Sequence, residues 1–507
     1  ATLQRGDPAH ALPLLRRAVQ EKPSSASAHN FYGFALGRTG AVEEAIGQFR
    51  EALKIDPRYP DALYNLGTAL IIEGEFVAAR QNLQQAVALR PDFREAHFEL
   101  ANALAQTGDS RGAIDALRTA IRLKPGMVAA HTQLGMLLSQ IGDTADAVLE
   151  FRQAAVLEPK SPEAHSNLGV ALDQNGDLAG AIEEFQRAIQ CDRKFAAALV
   201  NLAQAMRDKG DLGAAVGYYR QAIALEPKSP TIHADLGFTL KRSDQLEEAL
   251  KELNLAVRLG TDLARSHYYY AETLAQAGQR AAALQQYKEA VRLSPRDAEF
   301  HLKYGSALSD TSPQEAVIVL TEAAQLDPKS AEILTALAMA LRKSGKSEEA
   351  TAMFQRSREA SQRLAAHSEA VLQTNRAIDF LKQSRVNEAK DALQSALTAE
   401  PGFAEANEYM GIVQSALGNW PEANQAFHTA LEASPSDPNI HLNYGVSLEK
   451  QRNWMKAAAE FESVLNLRPS HPQGACQLAN SLLHAGEKDR AAEELRRAKE
   501  LGACDAF

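Results

Sequence analysis

The feature that most constrains this chain is a period of 34 residues that runs through almost its whole length. Proline marks the period, with Arg193 and Thr261 replacing it twice and one residue deleted before Pro328. The marking prolines are Pro23, Pro57, Pro91, Pro125, Pro159, Pro227, Pro295, Pro328, Pro401, Pro435 and Pro469. A fixed period of this size is typical of a repeat array, in which each unit packs only on its neighbours. A chain of 507 residues built this way needs no single large core.

Small and large residues recur at fixed places within the period. An alanine stands twelve residues before each of the thirteen marks and recurs in two further copies, fifteen in all. These alanines are Ala11, Ala45, Ala79, Ala113, Ala147, Ala181, Ala215, Ala249, Ala283, Ala316, Ala350, Ala389, Ala423, Ala457 and Ala491. A large apolar residue follows four positions later, as at Phe49 and Leu83, and a second alanine column follows that. Two helices approach closely only where side chains are small, so the columns predict helix–helix crossings.

Glycine precedes the second helix of most repeats, which predicts a tight left-handed turn there. The first helix often carries a Leu-Gly step, as at Leu66-Gly67 and Leu168-Gly169. A helix–turn–helix of 34 residues with these columns resembles the tetratricopeptide repeat (TPR) family. The resemblance implies an all-α fold, a right-handed superhelical α-solenoid of about 13–14 helix–turn–helix repeats.

The period divides the chain into five parts. We expect half a repeat at 1–23, consisting of a second helix only, and nine regular repeats at 24–328. A degraded repeat and an irregular junction occupy 329–367, three repeats follow at 368–469, and a terminal repeat fills 470–507. Residues 346–383 contain neither proline nor glycine, so a helix could run straight through the usual turn. The insertion either is simply tolerated or forms a joint between two arms.

Composition excludes several classes of function. The net charge is −10 with no basic stripe, which argues against nucleic acid. Cys191, Cys476 and Cys504 are far apart, so neither a disulfide framework nor a zinc site is indicated. No apolar run is long enough to span a membrane directly. We find no signal peptide, and the cytoplasm is slightly favoured, although a lost N-terminal address would permit the periplasm or export.

Histidine is concentrated in one column, six residues after the mark. Its members are His29, His97, His131, His165, His233, His267, His301 and His441. Equivalent positions in stacked repeats should lie on the order of 10 Å apart, too far to share one metal ion. The TPR pattern has tryptophan here, so we interpret the histidines as planar packing residues, and we expect no metal and no cofactor.

The most informative candidate site is a mostly polar column two residues further on, called the polar column below. It consists of Asn65, Glu99, Gln133, Asn167, Asn201, Asp235, Tyr269, Lys303, Asn443 and Gln477. In the TPR family this face of the first helix lines the concave groove. The asparagines resemble the ladder in the repeat region of O-linked N-acetylglucosamine transferase, whose amides hold the backbone of an extended peptide. An amide both donates and accepts, which suits backbone recognition. A merely solvated groove is the alternative.

We therefore predict a non-catalytic scaffold that binds an extended peptide or a partner helix in its concave groove. We find no nucleophile elbow, HExxH motif or dinucleotide fingerprint, and no other catalytic constellation. One alternative is the substrate-presenting region of a larger enzyme. Another is a structural protein that forms homo-oligomers or filaments through uncapped ends. Its basis is an apolar face expected on the first helix, formed by Ala11, Leu12, Leu14, Leu15 and Ala18.

Overall fold

The computed structural model describes residues 8–468, 471–501 and 504, and within them the chain is helical with short turns. Helices α1–α10 are Pro8–Glu21, Ala26–Arg38, Val42–Ile55, Pro60–Ile72, Phe76–Leu89, Arg94–Gln106, Ser110–Leu123, Val128–Gln140, Thr144–Leu157 and Pro162–Gln174. Helices α11–α19 are Leu178–Cys191, Ala196–Lys209, Leu212–Leu225, Pro230–Arg242, Leu246–Leu259, Ala264–Gln276, Arg280–Leu293, Ala298–Leu308 and Pro313–Leu326. Helices α20–α28 are Ala331–Lys343, Ser347–Lys382, Val386–Ala399, Ala404–Ala416, Trp420–Ala433, Pro438–Lys450, Trp454–Leu467, Pro472–Ala485 and Lys488–Glu500.

The alanine columns lie where the sequence predicts them, at the contacts between helices. All fifteen members of the first column are buried, and so are the large residues that follow them, apart from Leu15, Phe354 and Leu495. The substantial contacts between helices join elements that are adjacent or next but one along the chain. The prediction of an all-α solenoid is confirmed by this arrangement.

The Leu-Gly step has a specific packing reason. A Cβ atom added at Gly67 would lie 2.5 Å from Cγ of Leu83, and one added at Gly169 would lie 2.5 Å from Cε1 of Phe185. The large residue of the second helix therefore fills the space where a side chain of the first helix would stand. A glycine on the first helix thus faces a large residue sixteen positions later on the second helix. This pairing lets the two helices pack closely.

The turns between paired helices also follow the sequence. The ten predicted turn glycines, from Gly40 to Gly486, have positive φ angles between 77° and 93°. Asp244, Ser384 and Arg452 occupy the same place with φ of 64°, 60° and 57°. In three repeats the aspartate that follows the glycine caps the second helix, as Asp177 does by accepting a hydrogen bond from the amide of Gly180 at 2.9 Å.

The chain divides into two compact units, 1–295 and 296–507, called unit 1 and unit 2. The irregular junction falls within unit 2, where α21 is one helix of 36 residues. Ser357, in its first half, bonds to the carbonyl of Ala331 on α20 at 2.9 Å, and Ala370 and Ala377, in its second half, pack in the same cluster as Leu393 of α22. The longer helix expected at 346–383 is thus present, and it serves two repeats. The repeat boundaries themselves stay a prediction.

The described helices nearest the two ends differ from expectation. On α1, Ala11 is buried, Leu12 packs against the core, and only Leu14 is strongly exposed, at 61%. The apolar face expected there is largely covered by α2. The exposed positions of α28 are mostly charged, as at Arg490 and Glu493, so the described end of unit 2 has the polar outer surface of a capping helix. The expectation of an apolar outer surface is wrong for α28 and is met on α1 mainly at Leu14, and homo-oligomers formed through the ends stay a prediction.

A disulfide that the sequence did not indicate joins Cys476 on α27 to Cys504, with 5.9 Å between their Cα atoms. The two cysteines are 28 residues apart in sequence, which gave no sign of pairing. They are close in space because the second helix of a helix–turn–helix runs back along the first. Cys191 is exposed and free. No helix in the described part of the chain, α21 included, combines the length and the apolar character needed to cross a bilayer.

Candidate functional site

The histidine column joins the two helices of a repeat through hydrogen bonds. In His131, Nε2 lies 2.9 Å from the carbonyl oxygen of Pro125 and Nδ1 lies 2.6 Å from Oε2 of Glu150. The same pair of contacts, to the residue six places before and to a glutamate or glutamine nineteen places after, recurs at His29, His165, His233, His267 and His441. These bonds confirm the structural interpretation for six of the eight histidines, whereas His97 keeps only the contact with the carbonyl of Pro91 and Nδ1 of His301 contacts the carbonyl of Asp297. The sequence analysis missed this pairing, although the constant spacing of nineteen residues between each of the six histidines and its glutamate or glutamine could have revealed it.

All ten residues of the polar column lie half-buried on first helices. Seven, from Asn65 to Tyr269, belong to unit 1, and Lys303, Asn443 and Gln477 belong to unit 2. Where a hydrogen bond between first helices is described, its partner is at a different position of the repeat. The partner lies on the preceding first helix, except that Lys303 bonds to Glu332 on the following one. The column therefore provides repeated points of contact between successive first helices.

The amides of unit 1 illustrate this arrangement. Nδ2 of Asn65 donates to Oδ1 of Asn30 at 2.9 Å, and Nδ2 of Asn201 donates to Oγ of Ser166 at 3.3 Å. Gln133 donates to Asn102, which in turn donates to Glu99 at 2.9 Å. These bonds orient the amides and occupy only part of their capacity, since an amide has two donor hydrogens and an acceptor oxygen.

Asn167 differs from its neighbours because its side chain makes no hydrogen bond within the described residues. The Oε1 atom of Gln133, one repeat earlier, is buried and has no hydrogen-bond partner among the described residues. Unit 1 thus holds amide groups with unused bonding capacity on two successive first helices, α8 and α10.

The end of unit 1 has a different chemistry on the same face. Nη1 of Arg207 lies 3.9 Å from Oδ1 of Asp235, and Nζ of Lys241 lies 2.6 Å from Oε2 of Glu272. Burial raises the pKa of the Asp235 carboxyl, and the charge of Arg207 opposes that rise. Tyr269 stacks on Phe238 with ring centroids 4.4 Å apart. Charged and aromatic groups on α12, α14 and α16 are therefore already paired with one another.

In unit 2 the column residues have separate environments. Nζ of Lys303 lies 3.4 Å from Oε1 of Glu332, and Nδ2 of Asn443 donates to Oε1 of Glu408 at 2.7 Å. Gln477 makes no side-chain hydrogen bond in the described part. The three share a position in the repeat and have no contact with each other.

Sequence reasoning missed the apolar residues on this face. Met136 and Val170 stand three residues after Gln133 and Asn167 and expose 52% and 38% of their surface. Phe34, at the same position of α2, is also exposed. Residues three apart lie on one face of a helix, so the spacing alone could have found them. The first helices of unit 1 thus combine side-chain amides with exposed apolar groups.

Comparison with known proteins identifies the repeat. Models of the tetratricopeptide repeat match residues 64–128, 132–197, 206–272, 270–331 and 374–506, and a model of the TPR repeat matches 38–71. The longest internal segment left unmatched is 332–373, which includes the first half of α21. No protein with a curated description matches the sequence significantly.

Several solved structures are similar in fold. YrrB, a TPR protein with an unusual peptide-binding site, is 21% identical over 36% of this chain and 95% of its own, with a TM-score of 0.34. A tetratricopeptide repeat protein from Parabacteroides merdae is 13% identical over 52% of this chain and 98% of its own, with a TM-score of 0.41. A chain of the APC/C hetero-tetramer Cut9–Hcn1 is 13% identical over 95% of this chain and 99% of its own, with a TM-score of 0.35. The assignment rests on the repeat models, which cover well over half of the sequence. The chain belongs to the tetratricopeptide repeat family.

Proposed function

We propose that the first helices of unit 1, from α2 to α10, bind an extended segment of a partner protein. TPR proteins bind protein or peptide partners, and an architecture made only of these repeats is typically a non-catalytic scaffold. The observation that carries the proposal is the exposure of Met136 and Val170 beside Asn167, whose side-chain amide makes no hydrogen bond within the described residues. Apolar side chains supply affinity by leaving water, and amides fix the register of a bound backbone.

The geometry of the repeat supports this face over the other. First helices of neighbouring repeats contact each other directly at α2/α4, α4/α6 and α10/α12. Second helices are connected by long side chains, as in the ion pair of Arg118 and Asp146 at 3.5 Å. The more closely spaced layer of a curved stack is its inner side, so these helices would line a concave groove.

The same face is less suited to binding between α12 and α16, because its charged groups already have partners. A ligand there would have to break the pairs of Arg207 with Asp235 and of Lys241 with Glu272. We therefore place the bound segment on α2–α10. An extended chain rises ~3.3 Å per residue, so repeats on the order of 10 Å apart would each meet about every third residue.

The test uses matched pairs of apolar-to-polar substitutions. Peptides are first selected from a displayed random library on the whole protein, and their affinities are then measured for two double variants. Met136→Ser with Val170→Ser should weaken binding about tenfold or more, because two apolar contacts are lost. Leu149→Ser with Val156→Ser is the control, since both residues are exposed, at 55% and 66%, on the second helix α9. Equal loss in both variants, or none in the first, contradicts the proposal.

Asn167→Ala provides a second test of the amide contribution. Its side chain has no bond to lose within the described residues, so folding should be unaffected. Asn65 and Asn201 are less suitable, because each holds the preceding first helix. We expect a several-fold loss of affinity for the selected peptides, since a neutral hydrogen bond contributes ~0.5–1.5 kcal/mol. Unchanged affinity would mean that the amide is only solvated.

A further inference from the structure

A cavity of about 670 Å³ lies in unit 2 between the starts of α23 and α25. Carboxylates line it at Glu400, Glu405, Glu408 and Asp437, and Phe403 and Tyr409 supply aromatic walls. None of its lining residues is lysine or arginine. The cavity is therefore acidic, partly aromatic and distinct from the groove proposed in unit 1.

Three of the four carboxylates have ordinary structural reasons to be there. Glu400 accepts a hydrogen bond from Nδ1 of His367 at 2.7 Å. Asp437 caps α25 by accepting from the amide of Asn439 at 2.8 Å, and Glu405 lies in the first turn of α23. A negative charge is favoured at both places by the helix dipole.

Glu408 accepts one structural bond, from Asn443, but nothing comparable stabilises its charge. It lies one turn beyond Glu405, too far into α23 for the dipole to stabilise its charge, and only 9% of its surface is exposed. Oε1 accepts from Asn443, and Oε2 has no hydrogen-bond partner within the described residues. Burial raises the pKa of this carboxyl, the bond from Asn443 opposes the rise, and the charges of Asp437 and Glu405 add to it. A buried carboxylate whose nearest charges are also negative is costly unless a cation joins it.

We propose that this cavity binds an arginine side chain of a partner protein, with Glu408 as its main anion. A guanidinium group fits the chemistry of the walls, because it bonds to carboxylates with a planar fork and stacks on aromatic rings. Lysine fits less well, since its ammonium group is compact and strongly hydrated. Asn443 keeps Glu408 in place from the next first helix, so the polar column has a positioning role here.

The experiment compares two short peptides on the whole protein. The probe is acetyl-Gly-Ser-Arg-Ser-Gly-amide, and its reference carries citrulline, which has the same shape and no charge, in place of arginine. Both are titrated by ligand-observed NMR. We expect the arginine peptide to bind at least about tenfold more tightly, because charge-assisted bonds are about twice as strong as neutral ones. Equal binding of the two peptides overturns the proposal.

Variants assign the binding to the cavity. Glu408→Gln keeps size and polarity and should abolish the preference for arginine, whereas Glu348→Gln, which makes the same change of charge on the exposed start of α21, should keep it. Glu405 is exposed, so Glu405→Gln should fold normally. It should weaken binding of the arginine peptide several-fold. A preference that survives in both cavity variants overturns the proposal. The variant with Met136→Ser and Val170→Ser should bind the arginine peptide normally, which separates this site from the groove of unit 1.

Discussion

At the scale of single residues, the close pairing of helices depends on where side chains are missing. Gly169 on α10 faces the ring of Phe185 on α11 so closely that a methyl group at Gly169 would overlap the ring. Gly217 on α13 has nothing within 4 Å of the place where its Cβ would stand. The same residue type is therefore required at one site and dispensable at the other.

We expect opposite effects from the same substitution at these two glycines. Gly169→Ala should lower the free energy of unfolding by roughly 1 kcal/mol, because overpacking costs ~1–3 kcal/mol and alanine returns at most about 1 kcal/mol in helix propensity. Gly217→Ala should raise it by about 0.5–1 kcal/mol through that propensity alone. Thermal and urea unfolding would measure both. A stabilised Gly169→Ala variant would mean that Phe185 moves aside freely.

Single residues also show how far sequence reasoning reached. The buried alanines and the turn glycines were predictable, because one backbone geometry repeats and admits one type of side chain. The bonds of the polar column were not, since the partner of Asn201 is Ser166 and that of Asn65 is Asn30. Partners at the same repeat position differ in chemistry, so a periodic pattern does not reveal them.

At the scale of helices, the histidine column connects the first helix of a repeat to the second. In His441, Nδ1 contacts Oε2 of Glu460 at 2.6 Å and Nε2 contacts the carbonyl oxygen of Pro435 at 3.2 Å. A carbonyl and a carboxylate only accept, so both contacts are hydrogen bonds only when both ring nitrogens carry a proton, which is the positively charged form of the ring. The bond from Glu460 raises the pKa of His441, burial opposes the rise, and the carbonyl of Pro435 and the charge of Asp437 support it.

This pair should make stability depend on pH in a defined direction. A histidine whose pKa is raised by folding contributes stability that is fully present below its unfolded pKa of about 6.5 and is lost as pH rises through its folded pKa. His441→Gln should therefore cost about 1 kcal/mol more at pH 5.5 than at pH 9. The control is a protein that already carries Glu460→Gln. In that background His441→Gln should cost the same free energy of unfolding at both pH values. A cost independent of pH in the parent would show that the ring is neutral.

The long helix α21 shows what the sequence can predict about an element. Without glycine or proline, nothing forces a turn between its halves, and the helix continues. No side chain from 358 to 369 is buried. This part of the helix therefore lacks the buried positions that produce a periodic sequence pattern. The segment that the repeat models leave unmatched includes this region. The continuous helix was predictable from composition. That its two halves pack in two different repeats is seen only from the contacts of Ser357 and Ala370.

At the scale of the whole molecule, stability should be distributed locally. The substantial helix contacts connect neighbours along the chain, and separate apolar clusters occupy 36–249, 370–426 and 427–498. In such arrays the free energy of unfolding is approximately a sum of repeat and interface terms. A local change should therefore destabilise its own neighbourhood and leave distant repeats unaffected.

Replacing Ala181 by leucine would test this in unit 1. Ala181 is fully buried on α11, so a larger side chain should overpack the crossing and cost ~1–3 kcal/mol. Hydrogen exchange should then show faster opening of α10–α13, while amides of α24–α26 in unit 2 keep the protection of the parent protein. Ala179→Leu is the control, because Ala179 is exposed two residues away and should leave exchange unchanged in both regions. Uniform loss of protection across α10–α13 and α24–α26 would instead show that the array unfolds as one cooperative body, and the neighbour-by-neighbour account of its stability would then fail.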